Sequence, residues 1–222
     1  MRHIERLPIP QILIDKQVAW QEKYNEKLLG NSKARPDSTK YGHKKIREQL
    51  NRSSFNKCFY CESLLVGAPK EIDHYVEVAI DSSLAYEWTN LYLSCNSCND
   101  KLDHSIIPVT EVLNPCVDSD EEIRRHITFE KEYIRSYDAS EKGHKTIQKF
   151  KLSAPLLDLK RSKWLNKISG VSHEIHNRMI GEKRILPTEE EKEKIRKFMQ
   201  KDQPYSLMSE IYIKDNMPWA LE

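Results

Sequence analysis

Cys58-Phe59-Tyr60-Cys61, then Glu71-Ile72-Asp73-His74-Tyr75-Val76-Glu77-Val78-Ala79, then Trp88-Thr89-Asn90-Leu91-Tyr92-Leu93-Ser94-Cys95-Asn96-Ser97-Cys98-Asn99: the reading of this stretch decides the fold. Two C-x-x-C pairs, Cys58/Cys61 and Cys95/Cys98, bracket an Asp-His dipeptide and an isolated asparagine. A C-x-x-C loop lets two thiolates converge on one ion, and two such loops complete a closed tetrahedral shell of the structural zinc kind. The competing reading, buried or disulfide-bonded cysteines, is disfavoured by the lack of a signal peptide or a secreted-type cysteine density. The fifth cysteine, Cys116, has no partner in this pattern and reads as a small apolar residue.

Between the cysteine pairs, Glu71 to Val78 is β-branched and aromatic, bounded by Gly67-Ala68-Pro69 and Asp81-Ser82-Ser83, which predicts a strand; Leu91 to Ser94 predicts a second. Asn96 to Asp103 reads as the start of a short helix. An imidazole titrates near 6.5, so His74 suits a general base near neutrality. On a regular strand Asp73 points to the opposite side from His74, so a shared site requires a bend or an ion at the strand edge.

The order strand, loop, strand, helix, with Asp73-His74 on the first strand, Asn90 before the second and Asn99 on the helix, resembles the HNH (ββα-metal) endonucleases in an H-N-N variant, over roughly residues 55–104. The resemblance implies that His74 is the general base, that Asp73 and Asn99 hold one divalent ion, and that Asn90 orients the imidazole or the loop beside it. Carboxylate and amide oxygens are hard donors, which favours Mg2+ or Mn2+ as the catalytic ion beside a structural Zn2+. His104, five residues past Asn99, is a lesser candidate for the third position. The implied fold class is α+β: a small ββα-metal core with a four-cysteine zinc knuckle at 55–118, a helical segment at 1–54, and a mainly helical region at 119–222 suited to docking a partner.

Further motifs narrow the resemblance. M-R-x-I-x-R at residues 1–6, YGHKKIREQL at 41–50, KCFYCE at 57–62, LNPCVD at 113–118 and TIQKFKLSAPLLDLKRS at 146–162 are similar to the HNH subunit of Septu-type antiphage systems and retron-associated relatives. That resemblance implies a DNA substrate, an ABC-type ATPase partner that restrains the nuclease, and a higher-order hetero-oligomer. Two other readings remain open from sequence: a stand-alone restriction-type HNH nuclease, and a zinc-knuckle module that binds nucleic acid or protein without cutting.

The rest of the chain adds context. Its 222 residues carry 36 Lys/Arg against 34 Asp/Glu, so net charge alone does not announce a nucleic-acid binder. Residues 31–60 hold eight Lys/Arg against two acids and residues 141–163 hold seven against two, two stretches expected to face phosphates or solvent. No apolar run is long enough to span a bilayer and no leader is evident, which leads to the expectation of a cytoplasmic protein with no membrane association. Leu13, Trp20, Tyr24 and Leu28 mark one face of a first helix, and residues 31–40 read as a polar loop. A helix at 41–52 turns Ile46 and Leu50 inward and places His43 and Arg47 on one face that could meet DNA. Thr128-Phe129 and Tyr133-Ile134 suggest a hairpin. Ser153 is a candidate cap for a helix with an apolar stripe at Trp164, Ile168, Val171, Ile175 and Met179, and Thr188 to Glu191 reads as a capping box.

Overall fold

Two four-residue strands and a single helical turn hold the centre of the molecule. In the computed structural model, which describes residues 1–67 and 70–222, β1 (Glu71–His74) pairs antiparallel with β2 (Leu91–Ser94), placing Asp73 opposite Tyr92 and His74 opposite Leu91. α4 (Asn96–Asn99) follows directly. The predicted turn at Gly67-Ala68-Pro69 falls partly outside the described residues. The strand expected to run to Val78 stops at His74 because a side chain takes over from the partner strand. Asn90 Oδ1 accepts from the Val76 amide at 2.8 Å and its Nδ2 donates to the Val76 carbonyl at 3.0 Å. A backbone satisfied by an amide side chain has no need of a ladder. The helix expected to reach Asp103 likewise ends at Asn99, and the Leu102 amide donates to the Lys149 carbonyl at 2.9 Å.

The N-terminal segment packs on this core through α1 (Gln11–Gly30), which buries Leu13 and Tyr24. The segment expected as loop contains α2 (Ser38–Tyr41), capped by Asp37, whose carboxylate accepts from the Thr39 amide. The helix anticipated at residues 41–52 is α3 (Lys44–Ser53), with Ile46 and Leu50 fully buried and His43 standing before it as its cap. Gly42 separates α2 from α3: a Cβ there would lie 2.4 Å from the Ser38 carbonyl oxygen, so the close approach demands glycine. Arg47 donates to the carbonyls of Gly42 and Lys70 at 2.9 and 2.6 Å. Both side chains read as possible DNA contacts are therefore engaged in local structure.

Beyond the core, α5 (Asp120–His126) begins with three carboxylates in its first turn, which complement the helix dipole. β3 (Ile127–Glu130) and β4 (Tyr133–Ser136) form the expected hairpin and lead to α6 (Glu141–Lys149). α7 (Pro155–Gly181) starts on Pro155 at its first position, so the cap is Ala154, with no side-chain bond, and Ser153 does not serve. Its stripe packs inward, with Ile168 and Ile175 buried. Thr188 and Glu191 complete the capping box of α8 (Glu189–Arg196). α9 (Ser206–Asn216) buries Leu207, Met208 and Ile213, and one contiguous apolar core runs from Met1 to Ala220.

Glu62 ties these parts together. It sits at φ +61°, a left-handed conformation that costs a non-glycine residue on the order of 1 kcal/mol. Its buried carboxylate accepts from the Met1 amine at 3.2 Å and from the Ser206 hydroxyl at 2.7 Å, with Lys57 at 3.6 Å. Burial opposes its ionisation, but the Met1 ammonium, Lys57, Arg2 and Ser206 outweigh burial and hold its pKa at about 2. Because the folded value lies below the ordinary 4.5, this contribution to stability is complete above pH 4.5 and is lost as pH falls toward 2. Glu62→Gln should lower stability by about 3 kcal/mol at pH 7. In urea unfolding, the gap between parent and variant should narrow as pH drops below 4.5; a gap independent of pH would contradict the assignment.

Candidate active site and metal centre

The four cysteines come from the loop before β1 and from the start of α4, so the strand pair delivers two distant C-x-x-C loops to one point. Their Sγ atoms all lie within 4.8 Å of one another, and Cys61 Sγ is 3.8 Å from Cys95 Sγ. A tetrahedron with metal–sulfur arms of about 2.3 Å has edges of about 3.8 Å, whereas a disulfide needs about 2.05 Å. The donor set and spacing thus fit one zinc ion. All four residues are buried, and burial pushes the Cys58 thiol well above its ordinary value in the metal-free chain. A buried group of thiolates repels itself unless a cation neutralises it. Cys116 lies apart, half-buried, its amide donating to Asn114 Oδ1.

The Asp-His dipeptide ends β1 at a shallow cavity of about 330 Å³ lined by Arg35, Tyr41, Asp73, His74, Asn99 and Lys101, among others. His74 Nε2 lies 2.8 Å from the Ala85 carbonyl oxygen. A carbonyl only accepts, so Nε2 carries the proton and Nδ1 keeps its lone pair, with no hydrogen-bond partner among the described residues. The Tyr41 ring meets the imidazole edge-on at 4.7 Å. Burial lowers the His74 pKa, Lys101 lowers it further, and the bond to Ala85 only partly opposes them. The imidazole is accordingly neutral at pH 7. Asn90 is buried and makes no hydrogen bond to His74; its Nδ2 donates to the Leu84 carbonyl at 3.2 Å, fixing the peptide next to Ala85.

Asp73 is buried, and its Oδ2 accepts from the Tyr60 hydroxyl at 2.6 Å and from Lys101 Nζ at 2.9 Å. Burial raises its pKa, although Lys101 and Tyr60 favour the charged form. Lys101 also donates to the His74 and Tyr75 carbonyls at 2.5 and 3.0 Å. Three oxygens therefore converge on one ammonium, a stand-in showing that this pocket stabilises a cation. Asn99 is exposed, its Oδ1 only 3.5 Å from the Ser94 hydroxyl, and so has a carbonyl oxygen to spare. Asp73, His74 and Asn99 line the same cavity even though Asp73 faces inward from the strand. Sequence reasoning singled out neither Tyr60 nor Lys101; the only signal for the lysine is its position two residues after Asn99.

The two basic stretches differ. In residues 141–163, Lys142, Lys145, Lys149, Lys151 and Arg161 are each paired with a carboxylate, Lys149 and Arg161 in full burial, which leaves little for phosphates. In residues 31–60, Lys33, Arg35, Lys45 and Arg52 are exposed with no carboxylate partner among the described residues, and Arg35 lines the His74 cavity.

Removal of one thiolate tests the metal centre. Cys95→Ser should bind less than one zinc per chain by atomic absorption and lose the cooperative thermal transition, since structural zinc contributes on the order of 10 kcal/mol to such sites. A Cys95→Ser chain that still held one zinc would exclude Cys95 as a ligand, and a stable, metal-free one would exclude a structural role for the ion.

Residues 58–105 match the HNH endonuclease family model. The chain is similar to Septu protein PtuB of Bacillus thuringiensis, 30% identical over 54% of this chain and 44% of the relative. It is also similar to Septu protein PtuB of Bacillus mycoides (strain KBAB4), 27% identical over 55% of this chain and 52% of the relative. The chain thus spans about half the length of these curated relatives. The four cysteines, the strand pair and His74 all fall inside the matched segment, so residues 58–105 are an HNH endonuclease domain in a chain that is similar, over about half its length, to Septu proteins PtuB.

Proposed function

We propose that this chain is a divalent-metal-dependent endonuclease that hydrolyses DNA phosphodiester bonds as the nuclease of a Septu-type antiphage complex with an ABC-type ATPase. The observation that carries the reading is the locked tautomer of His74: Nε2 is committed to Ala85, and a neutral Nδ1 is left beside a cavity that also holds Asp73, Asn99 and Lys101. In this reading His74 Nδ1 takes a proton from the attacking water, Asn90 holds the loop that presents the Ala85 carbonyl, and Arg35 meets a backbone phosphate. Asp73 and Asn99 would hold a Mg2+ or Mn2+ ion, which supplies charge neutralisation at the phosphate. For Asp73 to serve, Lys101 must swing away, and its ammonium would then be free to face the departing oxygen.

Two independent features support the defence setting: the similarity to Septu protein PtuB, and the motifs outside the nuclease segment at residues 1–6 and 146–162. Among the described residues no helix is long and apolar enough to cross a membrane. Cytoplasmic work on invading DNA would suit the reduced thiols that the cysteine shell needs.

His74→Ala should retain zinc and fold, yet lose at least about a hundredfold in Mg2+- or Mn2+-dependent nicking of supercoiled plasmid, the range of general-base contributions. The variant cutting as fast as the parent would overturn the assignment of His74, and a parent that does not nick under these conditions would favour the non-catalytic zinc-module reading. Because burial depresses the His74 pKa, the base form persists into mildly acidic solution. Nicking should therefore fall off at a lower pH than free imidazole would dictate, and an acid limb above 6.5 would contradict the proposed base.

A further inference from the structure

Two buried polar atoms beside the His74 cavity face each other without a hydrogen-bond partner among the described residues. Glu77 Oε2 and His104 Nδ1 are both out of solvent, without a hydrogen bond among the described residues, and lie 3.7 Å apart. That separation is too long for a hydrogen bond. It suits two donors to one ion, because metal arms of about 2.1 Å span up to about 4.2 Å and reach 3.7 Å at an angle near 120°. Glu77 lines the cavity with Asp73, His74 and Asn99, and His104 follows Asp103 on the same rim.

The carboxylate is held as a ligand would be. Lys149, fully buried, donates to Glu77 Oε1 at 2.6 Å, which fixes the group and turns Oε2 toward His104. Such backing by an outer partner is the usual means of orienting a metal ligand. Asp73, by contrast, already has its charge answered by Lys101 and a hydrogen bond from Tyr60.

We propose that Glu77 Oε2 and His104 Nδ1 form a divalent-cation site next to His74, contributed by the loop after β1 and the loop after α4. The inference deepens the nuclease reading by naming ligands outside the Asp73–Asn99 pair. A nitrogen donor beside a carboxylate favours Mn2+ over Mg2+. Asp73 and Glu77 are balanced by Lys101 and Lys149, so the ion adds charge that a substrate phosphate would answer.

The test uses the full chain, loaded with stoichiometric zinc and without DNA, so that binding is read apart from cutting. Titration with Mn2+, followed by loss of the free-ion electron paramagnetic resonance signal, should show a saturable site that Mg2+ displaces poorly and that persists in Asp73→Asn, which removes the charge of the other proposed ligand pair. Glu77→Gln and His104→Ala should each weaken it by at least about tenfold, while zinc content and circular dichroism stay those of the parent. Parent-like Mn2+ affinity in His104→Ala, whose ring makes no hydrogen bond to lose, would overturn the proposal even if Glu77→Gln disturbed folding. So would the absence of saturable Mn2+ binding by the parent. Either failure leaves the requirement for His74 in nicking untouched, and a cutting His74→Ala variant leaves the Mn2+ titration untouched.

Discussion

The convergence of four sulfurs on one point is the constraint from which the centre of this molecule follows. A two-stranded ladder of four residues each has too few hydrogen bonds and too little buried face to persist alone. Here the cysteine loop before β1 and the one after β2 meet at the same end of the ladder, where Glu71 pairs with Ser94, so an ion held by the four sulfurs would tie the short strands and the turn of α4 into one piece. Aromatic rings extend that piece. Tyr60 lies flat between Phe150 and Tyr92, with ring centres 4.1 and 5.9 Å away, and Tyr92 in turn stacks on Tyr75 at 4.9 Å. Arg6 covers the outer face of Tyr92 at 4.4 Å while donating to the Trp88 and Leu91 carbonyls. The phenol that holds Asp73 is therefore fixed by the same stack that joins the N-terminal segment and α6 to the core.

Charge near the cavity is arranged in opposed pairs. Asp73 faces Lys101 and Glu77 faces Lys149, and each pair is largely withdrawn from water. Such pairs add little to net stability, because desolvation cancels much of the attraction, but breaking one leaves an uncompensated buried charge. Their consequence is a site that is near neutral until a cation or a phosphate enters. Among the described residues, unpaired basic side chains are instead found at the exposed Lys33, Arg35, Lys45 and Arg52 of residues 31–60, while α6 uses its lysines internally.

Much of this was legible in the sequence because it is written in spacing. Two C-x-x-C loops have one economical arrangement, and the polar letters Asp73-His74, Asn90 and Asn99 between and after them belong to one recognisable order. Helices with a periodic apolar face, such as α3 and α7, were equally plain. What spacing does not encode is side chains reaching across the fold. Residues 75–78 have strand composition, but the Asn90 amide satisfies Val76 and ends the ladder. Lys142 to Lys151 look like a basic patch until the acids that meet them arrive from elsewhere in the chain. Lys101, Glu77 and Tyr60 gain their significance only from what they touch.

The three polar letters of the H-N-N pattern differ in kind, and the difference explains why each has its place. His74 offers one nitrogen to the backbone and keeps the other, so its orientation depends on where the Ala85 carbonyl stands. Asn90 sets that carbonyl from a distance: its amide binds the Leu84 carbonyl on one side and Val76 on the other, holding the loop after β1 against the residue preceding Ala85. An amide is needed because the position must accept from one peptide and donate to two others at once, which neither a carboxylate nor an ammonium can do. Asn99, exposed at the end of a single helical turn pinned by Cys95 and Cys98, has almost no internal bonding to satisfy and is free for something that arrives from outside. The imidazole is thus oriented by a buried amide through one intervening peptide, while Asn99 reaches the same cavity from the turn that Cys95 and Cys98 pin.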